Sequence, residues 1–268
     1  MKYTEDYQIE FKDCDENRRL KIPALVDLLM QTSEHQLDQG GAGTDDLLKR
    51  GLGWVVTQYR FDINQLPKPE DKVKLSTIAS GYNRFFEYRD FGVDDEAGNS
   101  LVDVKSQWVM LDLKKRHMVP ADLKMMEDWG VPLLKKMPRF PRLRPQEEYD
   151  YERVYRARYD DLDTNHHVTN SHYFSWFIDM LDRDFLKDHE ISAIDIKFDK
   201  EVHYGKNVHS CMTLIQDDEI TSYHAIKTDD GTEQAVCELK CLAFLPHLSS
   251  RQKRHHDVPF PQSHARQT

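Results

Sequence analysis

Polar and apolar side chains follow the same pattern in two parts of the chain. Residues 7–17 (YQIEFKDCDEN) and residues 155–165 (YRARYDDLDTN) each begin with alternating side chains and end in a run rich in Asp and Asn. Alternation with a period of two is typical of a half-buried strand, and Asp and Asn favour turns. The offset is constant, since 155 − 7 and 165 − 17 both equal 148. The chain is therefore predicted to contain an internal structural repeat.

A helix is predicted directly after each of these strand-turn segments. In the first half, apolar residues recur at helical spacing at Ile22, Leu25, Val26, Leu29 and Met30. In the second half, the same spacing joins Tyr173, Phe174, Phe177, Ile178 and Leu181. Asn170 or Ser171 is the expected N-cap of this second helix. Because Trp176 adds a further apolar face, we expect the second helix to be buried on most sides.

Strand-like runs follow each predicted helix. They span residues 54–63, 72–80, 84–94 and 101–113 in the first half, and 191–200, 207–215, 221–228 and 234–244 in the second. Phe61 and Phe198, each followed by Asp, align the first run of the two halves with an offset of 198 − 61 = 137. Strand, long helix and about four strands predict an α+β fold, in which an antiparallel sheet wraps around the apolar helix of each half.

This organisation predicts four segments. Residues 1–134 form the N-terminal half, and residues 150–247 form the C-terminal half. Residues 135–149 combine prolines with basic side chains, as linkers often do. Residues 248–268 are polar and contain prolines, so we expect a disordered tail.

Composition narrows the classes of function. The chain of 268 residues has 39% hydrophobic and 31% charged residues, as globular proteins do. Its net charge of −10 argues against a nucleic-acid partner. No apolar stretch is long enough for a membrane span, and the first residues lack a signal or transit pattern, so we expect a cytoplasmic protein. Four cysteines without a CxxC pair predict reduced, buried thiols.

Candidate chemistry lies between the second repeat strand and its helix, at Asp163, Asn165 and His167. An imidazole changes protonation near neutral pH, an amide can both donate and accept, and a carboxylate can orient either. Such a group suits attack on a carbonyl compound by water or by a carboxylate. A strand end rich in Asp and Asn is also ordinary turn chemistry, so the motif alone leaves both interpretations open.

The repeat helps to choose between them. Both halves keep the turn residues, but His167 is matched by Arg19 (167 − 148 = 19), and Glu201 is matched by Asn64 (201 − 137 = 64). Turn geometry does not account for this divergence. We therefore expect His167 and Glu201 to carry the function in the C-terminal half.

Two segments of the chain resemble a known family. Residues 162–173, together with Trp176, resemble the D-x-N-x-H-V-x-N-x-x-Y-x-x-W segment of acyl-acyl carrier protein thioesterases, which include plant plastid enzymes and bacterial relatives. Residues 196–205 resemble the family segment that ends in Tyr-Arg-Arg-Glu-Cys-Gly and contains the catalytic Glu. The resemblance covers residues 3–246. It implies two tandem hotdog halves and hydrolysis of fatty acyl-acyl carrier protein to free fatty acid and holo-acyl carrier protein, which ends chain elongation.

The resemblance also implies roles for the candidate residues. Asn165 and His167 would contact and polarise the thioester carbonyl, and Glu201 would assist His167 or activate water. Asp163 would orient them or act as the attacking carboxylate, so direct attack by water and an anhydride route both stay open. Val202 replaces the Cys of the plant pattern, which excludes a Cys-His-Asn mechanism at that position. No metal and no cofactor are implied.

The family places its acyl slot beside the first helix. The candidate slot residues are Leu25, Val26, Leu29, Met30, Trp54 and Val56, although such residues are more often plain core than pocket lining. An acidic carrier protein needs a basic docking patch, for which the candidates are Lys114, Lys115, Arg116, Lys135, Lys136, Arg139, Arg142 and Arg144. Linkers are also charged simply to stay solvated, so docking is one of two interpretations.

Other functions are compatible with a hotdog fold. The alternatives are an acyl-coenzyme A thioesterase, a dehydratase-like enzyme and a non-catalytic acyl-binding protein. Retention of both His167 and Glu201 argues against the non-catalytic alternative. Because two fused halves mimic a hotdog dimer, a monomer is feasible, and a homodimer stays open. The preferred acyl chain length does not follow from the sequence.

Overall fold

The computed structural model describes residues 2–164 and 166–244. The strands of the N-terminal half are β1 (Tyr3–Gln8), β2 (Leu52–Ile63), β3 (Lys72–Tyr82), β4 (Phe86–Asp95), β5 (Ser100–Asp112) and β6 (His117–Val119). Its helices are α1 (Ile22–Gln39), α2 (Thr44–Lys49) and α3 (Leu123–Asp128). The C-terminal half contains β7 (Tyr151–Arg156), α4 (Asn170–Ile178), α5 (Arg183–Asp188), β8 (His189–Phe198), β9 (Asn207–Gln216), β10 (Ile220–Thr228) and β11 (Glu233–Ala243).

All the described strands belong to one antiparallel sheet. Its order is β1-β3-β4-β5-β2-β8-β11-β10-β9-β7, with β6 paired to β5. The halves meet where β2 pairs with β8, from Gln58 opposite Lys197 to Asp62 opposite Ala193. The first long strand of each half therefore lies at the centre of the sheet, and the two halves share a continuous hydrogen-bonded surface.

The internal repeat is confirmed in the structure. A shift of 148 residues maps β1 onto β7 (3 + 148 = 151 and 8 + 148 = 156). The same shift maps a short 3-10 helix, Phe11–Asp13, onto Tyr159–Asp161, and the first residue of α1 onto that of α4. The periodic segments thus form the same elements in both halves.

The two central helices differ in length. Helix α1 is continuous over 18 residues, whereas α4 ends at Ile178 after 9 residues. The prediction of one helix through Leu181 is therefore wrong. A new helix, α5, begins after Asp182, whose side chain accepts from the N–H of Asp184 as an N-cap. The predicted N-cap of α4, Asn170 or Ser171, is also wrong, because Thr169 occupies that position.

One hydrophobic core runs through both halves. Helices α1 and α4 pack against each other, α1 also packs against β3, and α4 against β9. Leu25, Phe61, Phe174 and Phe177 are fully buried in this core. The rings of Phe61 and Phe174 meet edge to face, with centroids 5.5 Å apart, so the core is continuous from one half to the other.

A second apolar cluster covers the end of the N-terminal sheet. It joins Tyr82, Ala121, Met126 and Val131, with Trp129 packed against it. Glycine is required beneath this cover, because a Cβ at Gly40 would collide with the Trp129 ring and one at Gly81 with the Leu134 side chain. The segment around α3 therefore forms a packed roof over this end of the sheet.

The predicted segment limits are compatible with this arrangement, and they stay predictions. Residues 135–149 contain no helix or strand. The predicted tail, residues 248–268, lies outside the described residues. All four cysteines are free and buried. Within the described part of the chain, no helix is both long enough and apolar enough to cross a membrane.

Candidate active site

The turn that carries the first candidate residues is closed by Asp163. Its N–H donates to the carbonyl of His167 at 2.8 Å, and its carboxylate accepts from the N–H of His167 at 3.3 Å. Its carbonyl accepts from the N–H of His166 at 3.0 Å. His166 adopts a left-handed conformation with φ of 65°, which reverses the chain. These contacts fix where the backbone of His167 lies.

The same turn occurs in the N-terminal half. The N–H of Asp15 donates to the carbonyl of Arg19 at 2.8 Å, and its carboxylate accepts from the N–H of Arg19 at 2.8 Å. Arg18 has a φ of 60°, like His166 at the equivalent position. Since these contacts form where no His is present, the contacts of Asp163 belong to the turn itself.

His167 and Glu201, 34 residues apart (201 − 167), meet at this turn. His167 Nε2 lies 3.2 Å from Glu201 Oε2. The loop after β8 is held in place by the N–H of Val168, which donates to the carbonyl of Val202 at 3.0 Å. The N–H of Val202 donates to the hydroxyl of Tyr173 on α4 at 3.1 Å. The buried helix and the turn together therefore position the carboxylate.

Arg116 is a site residue that the sequence did not reveal. The sequence grouped it with Lys114 and Lys115 as a docking candidate, but its guanidinium forms an ion pair with Glu201. It lies in the turn between β5 and β6, where it has a φ of 55°. An N-terminal residue thus contacts the candidate catalytic carboxylate of the other half. Only the sheet order brings these two residues together.

The surroundings of His167 favour its neutral form. Burial lowers the pKa of His167, and the positive charge of Arg116 and the nearby His203 lower it further, while Glu201 and Asp163 oppose them. The rings of His167 and His203 lie 4.9 Å apart. We therefore expect an unprotonated imidazole at neutral pH, which can accept a proton during a reaction.

A cavity of about 1110 Å³ opens beside this pair. Asp163, His167, Glu201 and Arg116 all line it, as do the predicted slot residues Trp54 and Val56. Three of the four predicted catalytic residues therefore face one opening. The fourth, Asn165, lies outside the described residues.

A second cavity, of about 270 Å³, extends between α1 and the N-terminal sheet. It shares Trp54, Asp163, Thr164 and Asn170 with the first cavity, so it leads inward from the turn. Met30 lines its wall on α1, and Trp129 belongs to its roof. This arrangement suits an acyl slot.

The predicted slot residues divide into two groups. Met30, Trp54 and Val56 each line one or both cavities. The other three are fully buried in the core and line neither cavity: Leu25, Val26 and Leu29. Their side chains pack in the core on another face of α1, and for them a role in the slot stays a prediction.

The second cavity also contains charged residues that the sequence analysis missed. Positions 87, 89, 91 and 93 of β4 are all buried, and alternate positions share one face of a strand. Glu87 and Arg89 occupy two of these inward positions and line the cavity. A Glu among the inward-facing positions of a strand is unusual, and the alternation of the sequence alone could have revealed it.

The site includes one group that could hold a cation. Donor atoms of His167, Glu201 and His203 all lie within 4.8 Å of one another. The ion pair between Glu201 and Arg116 competes with such binding, because the guanidinium already neutralises the carboxylate.

Comparison with known proteins identifies the family. The model of the acyl-ACP thioesterase N-terminal domain matches residues 1–127, and that of the C-terminal domain matches residues 144–240. The chain belongs to the acyl-ACP thioesterase family. This confirms the family resemblance, and solved structures confirm the predicted fold of two tandem hotdog halves.

Individual members of the acyl-ACP thioesterase family match over most of the chain. A palmitoyl-acyl carrier protein thioesterase from Gossypium hirsutum is 24% identical over 86% of this chain and 61% of its own length. The chain thus spans about three fifths of the length of that curated relative. An oleoyl-acyl carrier protein thioesterase from Coriandrum sativum is 25% identical over 91% of this chain and 72% of its own length.

Solved acyl-ACP thioesterase structures have the same fold. A Lactobacillus plantarum protein, provisionally named oleoyl thioesterase, has a TM-score of 0.88 and 31% identity, covering 91% of this chain and 97% of its own. The 12:0-ACP thioesterase from Umbellularia californica has a TM-score of 0.79 and 19% identity, covering 91% and 98%. The latter likeness concerns the fold alone.

Replacing Arg116 by Gln should raise the pKa of His167. The guanidinium is one of the positive charges that disfavour an imidazolium at this position. Titration of the His167 ring by NMR measures the effect. Lys115→Gln is the matched control, since it removes the same charge from the same turn. Lys115 Nζ pairs with Asp112 at 3.7 Å and not with Glu201. An unchanged His167 pKa in Arg116→Gln would contradict the assignment.

Replacing Glu87 by Gln should remove a pH dependence of stability. Burial raises the pKa of Glu87 from 4.5 to about 8, so the folded protein keeps a proton that the unfolded chain loses. The wild-type free energy of unfolding should therefore fall with rising pH between these values, relative to Glu87→Gln, by about 1.4 kcal/mol per pH unit. Urea titrations across this range measure it. Glu96→Gln, at an exposed position, should behave like wild type, and equal slopes in all three proteins would contradict the prediction.

Proposed function

We propose that this protein hydrolyses fatty acyl-acyl carrier protein to free fatty acid and holo-acyl carrier protein. The observation that carries the proposal is the pair of His167 and Glu201, which lines a cavity that shares four lining residues with the slot beside α1. Membership of the acyl-ACP thioesterase family supports the carrier-bound substrate. The proposed catalytic residues of the C-terminal half thus lie next to the proposed acyl slot of the N-terminal half.

In the proposed reaction, water attacks the thioester carbonyl carbon. The pair of Glu201 and His167 accepts one proton from that water as the new C–O bond forms. The C–S bond then breaks, and the proton passes from the pair to the departing sulfur of the carrier's prosthetic group. Arg116 holds the carboxylate of Glu201 in place beside His167 through its ion pair. Asn165 would polarise the carbonyl, as the family resemblance implies.

Asp163 is proposed as an orienting residue. Its hydrogen bonds to the backbone of His167 are repeated by Asp15 in the other half, where no catalytic pair exists. A carboxylate that holds a turn in both halves needs no role in bond formation. Attack by Asp163, with an anhydride intermediate, is the alternative route. After a single turnover in isotopically labelled water, this route would leave solvent oxygen in the Asp163 side chain.

Variants of the pair test the proposed function. His167→Ala and Glu201→Gln should each lower kcat by about 10²- to 10⁴-fold, the usual contribution of a general base. Release of the carrier thiol from acyl-acyl carrier protein measures the rate. Asn64→Ala is the matched control, because Asn64 is the repeat counterpart of Glu201 and lies exposed outside the cavity. Undiminished hydrolysis in both site variants would refute this assignment.

Carrier docking is proposed at the basic segment between the halves. Arg139, Arg142 and Arg144 are exposed, and no ion pair engages them within the described residues. Free guanidinium groups suit an acidic partner. The segment lies against the N-terminal sheet, where Phe140 stacks on Tyr88 with centroids 6.4 Å apart, so these charges project from a fixed surface.

Charge reversal tests the docking surface. Arg139→Glu with Arg142→Glu should raise KM for acyl-acyl carrier protein by about tenfold, because like charges at an interface slow association. The rate with a small synthetic thioester should not change. Lys2→Glu with Lys68→Glu, at exposed positions outside this segment, is the control pair. An equal effect on carrier-bound and small thioesters would count against docking here.

The same assays address the alternatives. Faster turnover of acyl-coenzyme A than of acyl-acyl carrier protein would favour the acyl-coenzyme A thioesterase, and binding without thiol release would favour an acyl-binding protein. A cytoplasmic location, and the choice between monomer and homodimer, stay predictions.

A further inference from the structure

The slot contains two buried polar groups that the described residues leave unsatisfied. Glu87 is 7% exposed, and neither of its carboxyl oxygens has a hydrogen-bond partner among the described residues. The indole N–H of Trp54 is also buried and without an acceptor among them. Both residues line the same cavity of about 270 Å³. Unsatisfied buried polar groups are rare in folded proteins, and each lowers stability.

A plain hydrocarbon chain gives these groups no partner. An unbranched saturated acyl chain has no atom that can donate to or accept from Glu87 and Trp54. Leaving polar groups unpaired in a filled slot would weaken binding of such a chain. The walls of the slot also include the apolar side chains of Met30, Trp108 and Trp129.

We propose that the slot binds an acyl chain that carries a hydroxyl group, held by Glu87 and the indole N–H of Trp54. This inference rests on the proposed function, because it names the class of acyl chain that the same site would release. A hydroxyl oxygen accepts from the indole N–H, and its own proton is donated to a Glu87 oxygen. One ligand group therefore satisfies both buried residues.

The charge in the slot favours a hydroxyl over a carboxylate at this position. Burial raises the pKa of Glu87 to about 8, so at neutral pH its carboxyl group is uncharged and can both donate and accept. Arg89, the nearby cation, already donates to Gln36 Oε1 and to Thr77 Oγ1. No ion pair links Arg89 to Glu87 in the described chain. A second carboxylate beside Glu87 would lack a counter-ion, whereas a neutral hydroxyl needs none.

Binding of free acids tests the inference without turnover. The probes are dodecanoic acid and its monohydroxy derivatives, with the hydroxyl at successive carbons. Three of the four tryptophans, Trp54, Trp108 and Trp129, line the slot, so intrinsic fluorescence reports its occupancy. At least one hydroxy isomer should bind wild type about tenfold or more tightly than dodecanoic acid, since a satisfied buried polar group strengthens binding. Equal or weaker binding of every isomer would overturn the inference.

Variants at Glu87 sharpen the test. Glu87→Leu should remove the preference for the hydroxy isomer and tighten binding of dodecanoic acid, because the apolar side chain suits the hydrocarbon. Glu87→Gln should keep the preference, since an amide also donates and accepts. Glu96→Leu, at an exposed position outside the slot, is the control for the loss of a Glu. A preference that persists unchanged in Glu87→Leu would also overturn the inference.

Hydrolysis of the matching acyl-acyl carrier proteins separates this inference from the proposed function. The protein could bind the hydroxy acid preferentially and yet hydrolyse the matching acyl-acyl carrier protein no faster than His167→Ala does. That result would support the slot chemistry and refute the thioesterase. Hydrolysis of dodecanoyl-acyl carrier protein without any hydroxyl preference in binding would support the thioesterase and refute the slot chemistry.

Discussion

The pairing of β2 with β8 is the interaction on which the site depends. Gln58 lies opposite Lys197, and the strands are antiparallel, so the start of β2 runs beside the loop that follows β8. Trp54 at that start and Glu201 in that loop therefore line one cavity. Strand β5 lies on the other side of β2, and the turn after it brings Arg116 onto Glu201. Backbone hydrogen bonding at the centre of the sheet thus assembles a site from both halves.

The repeated turn explains why the described residues form one such site and not two. In the N-terminal half, Arg19 occupies the position of His167 and is 7% exposed. Its guanidinium donates to the carbonyls of Leu186 at 2.7 Å and His189 at 2.9 Å. The position that holds His167 in the C-terminal half therefore holds, in the N-terminal half, an arginine that joins the two halves. One turn geometry serves two purposes, and the identity of a single side chain decides between them.

Much of this architecture was predictable, because it depends on local periodicity. The offset of 148 residues located β7 and the start of α4, and divergence from the repeat singled out His167 and Glu201. These inferences needed only side-chain alternation and helical spacing. The end of α4 at Ile178 was not predictable, since the apolar spacing continues to Leu181 beyond the point where the helix stops.

The residues that were missed depend on contacts between distant segments. Arg116 looked like a surface cation because its neighbours are Lys114 and Lys115, and its partner is 85 positions away. The roof around α3 is held by tryptophan and methionine side chains whose spacing follows no simple period. Glu87 alone left a local signal, a carboxylate in an inward row of β4, but its meaning required the cavity beside it.

Trp54 lines both cavities, so one side chain affects both the choice of acyl chain and the hydrolysis of the thioester. A change in the shape of this indole alters the mouth of the slot and the surroundings of the reacting carbonyl in one step. Engineering for a different product profile at this position would therefore also alter catalytic speed. Independent control requires substitutions deeper in the slot, beyond the residues that the two cavities have in common.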